Sequence, residues 1–104
     1  MTKPLQIFME YKVNKNQVHE YEQAMKEIIE VLPEYEATNI QWFVGEEDQP
    51  YLYVEMFEVP TISHYEVIKN MRRSAEHSTF GKIVPFIDGG AEKIHCWAFK
   101  RKES

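Results

Sequence analysis

In the stretch "LQIFMEYKV" every second residue is apolar. Leu5, Ile7, Met9, Tyr11 and Val13 share one face, and Gln6, Phe8, Glu10 and Lys12 share the other. That period of two predicts a strand. The period then changes. Val18, Tyr21, Met25, Ile28, Ile29 and Leu32 recur at helical spacing, within an arc of about 100°, which is the apolar stripe of a surface helix. Asn14 or Asn16 is expected to cap it, and Pro33 to end it. Alternation returns in "TNIQWFV" and "YLYVEMFEV". The polar run "GEEDQP" joins them as a hairpin. Pro60 closes the third strand, and Thr61 or Ser63 caps a second helix carrying Ile62, Tyr65, Ile68, Met71 and Ala75 on one side. The apolar residues of "TFGKIVPFIDGG" are expected to dock on the core. Gly89 and Gly90 turn the chain into a fourth strand, "EKIHCWAF", and the tail from Lys100 onward is expected to fray.

The element order strand, helix, strand, strand, helix, strand is the split βαβ pattern of an α+β, ferredoxin-like fold. Right-handed crossovers give an antiparallel sheet in the order 4-1-3-2, with both helices on one side. Alternation assigns Ile7, Met9, Tyr11, Ile40, Trp42, Val44, Leu52, Val54, Met56, Ile94, Cys96 and Ala98 to the helix side. Phe8, Glu10, Gln41, Phe43, Tyr53, Glu55, Phe57, His95, Trp97 and Phe99 fall on the other. Two helices cannot cover that second face, and it is too aromatic to meet water as one patch. Each large side chain left wet forfeits about 1.5–3 kcal/mol. A second copy related by a two-fold axis is the economical cover. The expectation is a homodimeric α/β barrel with Phe8, Phe43, Tyr53, Phe57, Trp97 and Phe99 in its interface. A monomer with a mixed sheet face, or a C-terminal loop folded across it, is the alternative.

A chain of 104 residues suits one domain, taken as 1–104. Its net charge of −5 argues against a nucleic-acid partner. Cys96 is the sole cysteine, so no internal disulfide forms, in keeping with a reducing compartment. No apolar run reaches the about 18 residues that span a bilayer, and "MTKPLQIFMEYKV" lacks the design of a leader. A cytoplasmic protein without a membrane partner is expected.

"YLYVEMFEV", then a helix, then "EHSTFGKIVPFI" resembles the antibiotic biosynthesis monooxygenase (ABM-like) family of dimeric α/β-barrel proteins. Glu55 and Phe57 match the family's strand, and His77 and Phe80 its later His and Phe. The resemblance implies a homodimer with a pocket between sheet and helices in each subunit. Some members oxygenate polycyclic phenols without metal or flavin. Others bind and degrade haem through an axial histidine and an asparagine on the first strand, a place held here by Glu10 and Tyr11.

Candidate chemistry follows. His77 would be the family's ligand or base. On an unbroken second helix it points away from Ile68 and Ala75 into solvent, so a role in the pocket requires a break near His77 or Ser78. His64 sits in the first turn of that helix, where it can rim a pocket. Glu10, Glu55 and His95 share one face on neighbouring strands, and form a general base, a metal-binding group, or an ion-pair network that sets the dimer register. Tyr11, Trp42, Met9, Met56 and Phe80 can line a site for a small aromatic ligand, or be plain core. No metal-binding, phosphate-loop or nucleophile motif is present. Three functions remain: a cofactor-free monooxygenase with His77 or His95 as base, a haem protein using His77, and a non-catalytic binding or interaction dimer.

Overall fold

The computed structural model describes residues 3–102, so the last two residues of the expected frayed tail, 103 and 104, lie outside the described residues, as do 1 and 2. Strand β1 (Leu5–Lys12) leads through a single 3-10 turn into helix α1 (Val18–Val31). Neither Asn14 nor Asn16 caps that helix, because the extra turn Lys15–Gln17 moves the N-cap to Gln17. Pro33 sits in the 3-10 turn Leu32–Tyr35 that ends α1. Strands β2 (Thr38–Val44) and β3 (Leu52–Val59) form the hairpin. Thr61 caps helix α2 (Ile62–Arg72), its hydroxyl accepting from the His64 N–H at 3.3 Å. A 3-10 stretch, Phe80–Phe86, then crosses the core, and β4 (His95–Phe99) closes the sheet.

The strand order is β2-β3-β1-β4 and every pairing is antiparallel. This is the ferredoxin-like α+β fold, in the 4-1-3-2 order read from its other edge. Ile7, Met9 and Tyr11 of β1 pack beneath Tyr21, Met25, Ile28 and Leu32 of α1 and Ile68 of α2. Phe80, Ile83, Val84 and Ile87 fill the remainder, so the irregular segment docks on the core. Gly89 and Gly90 take φ of +89° and +79° on the way into β4, a conformation open to glycine at little cost.

Two expectations need correction. The first is the parity of β3. Ile7 pairs with Phe57, Met9 with Glu55 and Tyr11 with Tyr53, so these β3 residues lie under the helices. Tyr53 and Phe57 are therefore core, not interface, and Leu52, Val54 and Met56 belong to the open face. The hairpin departs from simple alternation in β2, where Thr38 pairs with Glu58 but Gln41 with Met56. One extra residue bulges there, at Asn39 with φ +51°. The second correction concerns α2, which ends at Arg72. Ala75 is exposed beyond it, and the buried stripe is Tyr65, Ile68 and Arg72. Among the described residues no helix is long and apolar enough to cross a membrane.

Candidate functional site

The resemblance implies a pocket between sheet and helices, and here that space holds a buried polar chain. Arg72 reaches down from the last turn of α2 and grips Glu55 of β3 with both ends, Nη1 to Oε1 at 2.7 Å and Nη2 to Oε2 at 2.5 Å. Both side chains are fully buried. Two parallel N–H···O bonds are the strongest form such a pair takes. Nη1 also meets the Met9 sulfur at 3.4 Å, and the Arg72 guanidinium lies 5.8 Å from the Phe80 ring centre. Among the described residues the Arg72 Nε–H has no acceptor.

The hydroxyls take one direction only. A carboxylate paired with Arg72 only accepts, so Tyr11 O–H donates to Glu55 Oε2. Tyr11 then accepts from Tyr21 O–H at 2.6 Å, and Tyr21 accepts from Trp42 Nε1–H at 3.0 Å. Donors run from half-buried Trp42 on β2 to the carboxylate at the centre. Burial first, and then the charge of Glu55, push the phenol pKa of Tyr11 and of Tyr21 well up, so both stay neutral. Burial works against the Arg72 cation, but Glu55 beside it prevails and its pKa is raised. No phenolate and no free carboxylate base is on offer here. The chain of bonds ties α1, α2 and three strands together.

A second polar group lies on the other side of the sheet. Glu10 of β1 stands opposite His95 of β4 in the pairing. Both line a cleft of about 470 Å3 at one end of the open face, with Lys12, Leu52, Gln49, Asp88 and Lys93 around them. Among the described residues no hydrogen bond or ion pair engages the side chains of Glu10, Lys12, Asp88 or Lys93. The His95 ring stacks on Trp97 at 6.1 Å. Convergent polar groups in an open concavity are what a ligand site presents.

The expected trio of Glu10, Glu55 and His95 is thus split by the sheet. Glu10 and His95 remain neighbours on the open face, and Glu55 faces the helices, because β3 pairs with β1 in the opposite parity. Met56 is opposite Phe8 on the open face, so it lines no pocket with Tyr11 and Trp42. Phe80 is fully buried core. The chain does break before His77, yet not to free its ring. Its Nδ1 accepts from the backbone N–H of Thr79 at 3.2 Å and Phe80 at 3.0 Å, and the ring stacks on Phe80 at 4.8 Å. His77 caps the following 3-10 stretch. His64 hydrogen-bonds the Thr61 hydroxyl at 2.7 Å and rims a shallow groove of about 320 Å3 with Tyr35 and Val67. Sequence reasoning missed Arg72. The spacing of Tyr65, Ile68 and Arg72 places it on the buried stripe of α2, and that was the available signal.

The sequence matches no protein-family model and no curated protein. Solved structures share its fold. A conserved protein from Methanosarcina mazei Go1 superposes with a TM-score of 0.72 at 16% identity, over 95% of this chain and 93% of that one. An antibiotic biosynthesis monooxygenase gives 0.70 at 13% identity, covering 95% and 99%. A dimeric ferredoxin-like protein of unknown function from Jannaschia sp. CCS1 gives 0.68 at 15%, covering 95% and 100%. What these likenesses show is a shared fold, that of an antibiotic biosynthesis monooxygenase and of a dimeric ferredoxin-like protein.

Proposed function

We propose that this protein is a homodimer that binds a small aromatic molecule in the Glu10–His95 cleft. The observation that supports this most is the contrast between its two polar groups. Beneath the helices, Glu55 is saturated by Arg72 and Tyr11. In the cleft, Glu10 and His95 have free polar atoms and about 470 Å3 of space. The homodimer is supported by the open face, where Phe43, Trp97 and Phe99 are 47%, 44% and 50% exposed. Phe8, Val54 and Met56 lie between them. Apolar area on this scale marks an interface.

A second reading follows from the fold shared with an antibiotic biosynthesis monooxygenase. Glu10, or His95 beside it, would take a proton from an acidic C–H of the ligand. The carbanion would then reduce oxygen, so that CH2 and O2 become C=O and H2O, with all four electrons supplied by the substrate. Such chemistry calls on no resident cofactor. Haem is a poor fit to these residues. The His77 ring lies flat on Phe80, its Nδ1 is taken by backbone donors, and the core beneath the helices is filled.

The test is a titration with polycyclic phenols, followed by tryptophan fluorescence and by oxygen uptake. Quenching that is lost in His95→Ala and Glu10→Gln supports the binding reading. Uptake that falls in the same variants supports oxygenation. Binding that persists in both variants but fails in Trp42→Phe would move the site back beneath the helices and overturn the proposal.

A further inference from the structure

The open face of the sheet carries opposite charges at opposite corners. The β2–β3 turn holds Glu46, Glu47 and Asp48 at the corner where β3 begins. The segment after β4 holds Lys100, Arg101 and Lys102 at the corner where β4 ends. With β2 and β4 as the two edges, these corners are diagonal to one another. All six side chains are exposed, and among the described residues none makes a hydrogen bond or an ion pair. At about 4.8 Å per strand and 3.3 Å per residue, more than roughly 20 Å separates the two groups within one chain.

We infer that a second copy covers the open face with its strands crossing at near right angles, so that the acidic turn of each copy meets the basic segment of the other. This rests on the homodimer reading and adds its geometry. A two-fold axis lying between stacked sheets can run along the strands, across them, or along either diagonal. An axis along the strands sets the acidic turn over the partner's mixed Asp88–Lys93 loop. An axis across them sets it over the start of β2, beside Glu36. One diagonal sets the turn against its own copy. The other diagonal alone brings each triad of acids onto a triad of bases, twice per dimer. It yields the orthogonal class of sheet packing. Opposed charges at the rim select a register in this way, and mismatched ones suppress it. The same axis passes the corner where β4 begins, so the two Glu10–His95 clefts face each other there.

Zero-length carbodiimide cross-linking of a mixture of unlabelled and isotope-labelled protein tests this, since such a link cannot span the corners of one chain. Mixed-isotope peptides joining residues 46–48 to Lys100 or Lys102 are expected. Reversal of the turn, Glu46→Lys with Glu47→Lys, should weaken the dimer about tenfold or more at low salt, and less at high salt. Adding Lys100→Glu and Lys102→Glu to that chain should restore it. A dimer with no such link, whose dissociation is unmoved by the turn variant, overturns the inference and leaves the homodimer standing. A protein that sediments as a monomer at every concentration removes the homodimer, and this geometry with it.

Discussion

Glu10 and Glu55 sit on adjacent strands of one sheet and live in opposite worlds. Glu55 faces the helices, where Arg72 and Tyr11 take its oxygens and no water reaches it. Glu10 faces outward beside His95, half-exposed and unpaired. The difference shows which charge the fold consumes and which it leaves free. A charge deep in so small a core is costly unless it is matched, and matching uses up the lone pairs that chemistry would need. A charge on the open face costs little and keeps them. Function is therefore sought on the face that the helices do not cover.

The comparison can be broken most forcefully at Arg72. Arg72→Ala strands the Glu55 carboxylate and should cost about 3–5 kcal/mol in urea unfolding. Arg72→Met with Glu55→Leu should recover most of that loss, because both charges then leave together. An Arg72→Ala protein as stable as the parent would mean that the interior pair holds nothing. On the open face, Trp97→Asp should raise the dimer dissociation constant at least about a hundredfold by sedimentation, with the fold intact by circular dichroism.

Alkaline unfolding sharpens the contrast further. Tyr11 and Tyr21 have pKa values raised in the fold, burial being the main cause. Their contribution is complete below the unfolded tyrosine pKa of about 10, and it is lost as pH rises above that value, since the unfolded chain then binds fewer protons. Each should remove up to about 1.4 kcal/mol per pH unit above pH 10. Tyr11→Phe should lessen that slope, at a cost near neutrality of about 1.5–3 kcal/mol for its bond to Glu55. A tyrosinate absorbance that grew before unfolding and was diminished in Tyr11→Phe would contradict burial of that phenol.

The two smallest effects separate position from chemistry. His77→Ala should cost about 1 kcal/mol, as the loss of a cap does. Added hemin should leave the visible spectrum of parent and variant alike. Glu10→Gln should change stability by less than about 0.5 kcal/mol. If Glu10→Gln instead cost as much as Arg72→Ala, Glu10 would be a structural charge and the cleft would lose its claim.

Much of this architecture is written in local periodicity. Leu5 to Val13 alternate, Tyr21, Met25, Ile28 and Leu32 repeat at helical spacing, and proline or glycine marks the joints. Those patterns dictate the elements, their order and the antiparallel sheet, since each follows from how a side chain points within a few residues. They also single out His95, Trp97 and Phe99 as one face of the last strand, where the structure leaves them exposed. The parity of β3 is different in kind. Leu52, Val54 and Met56 are as apolar as Tyr53 and Phe57, so either face of that strand could turn inward, and the glutamate argues for the wrong one. What turned Glu55 inward was Arg72, 17 residues along the chain on another element. A register slip of one residue reverses every side chain in a strand. Only the pairing of β3 with β1, and a cation delivered by the end of α2, could decide it.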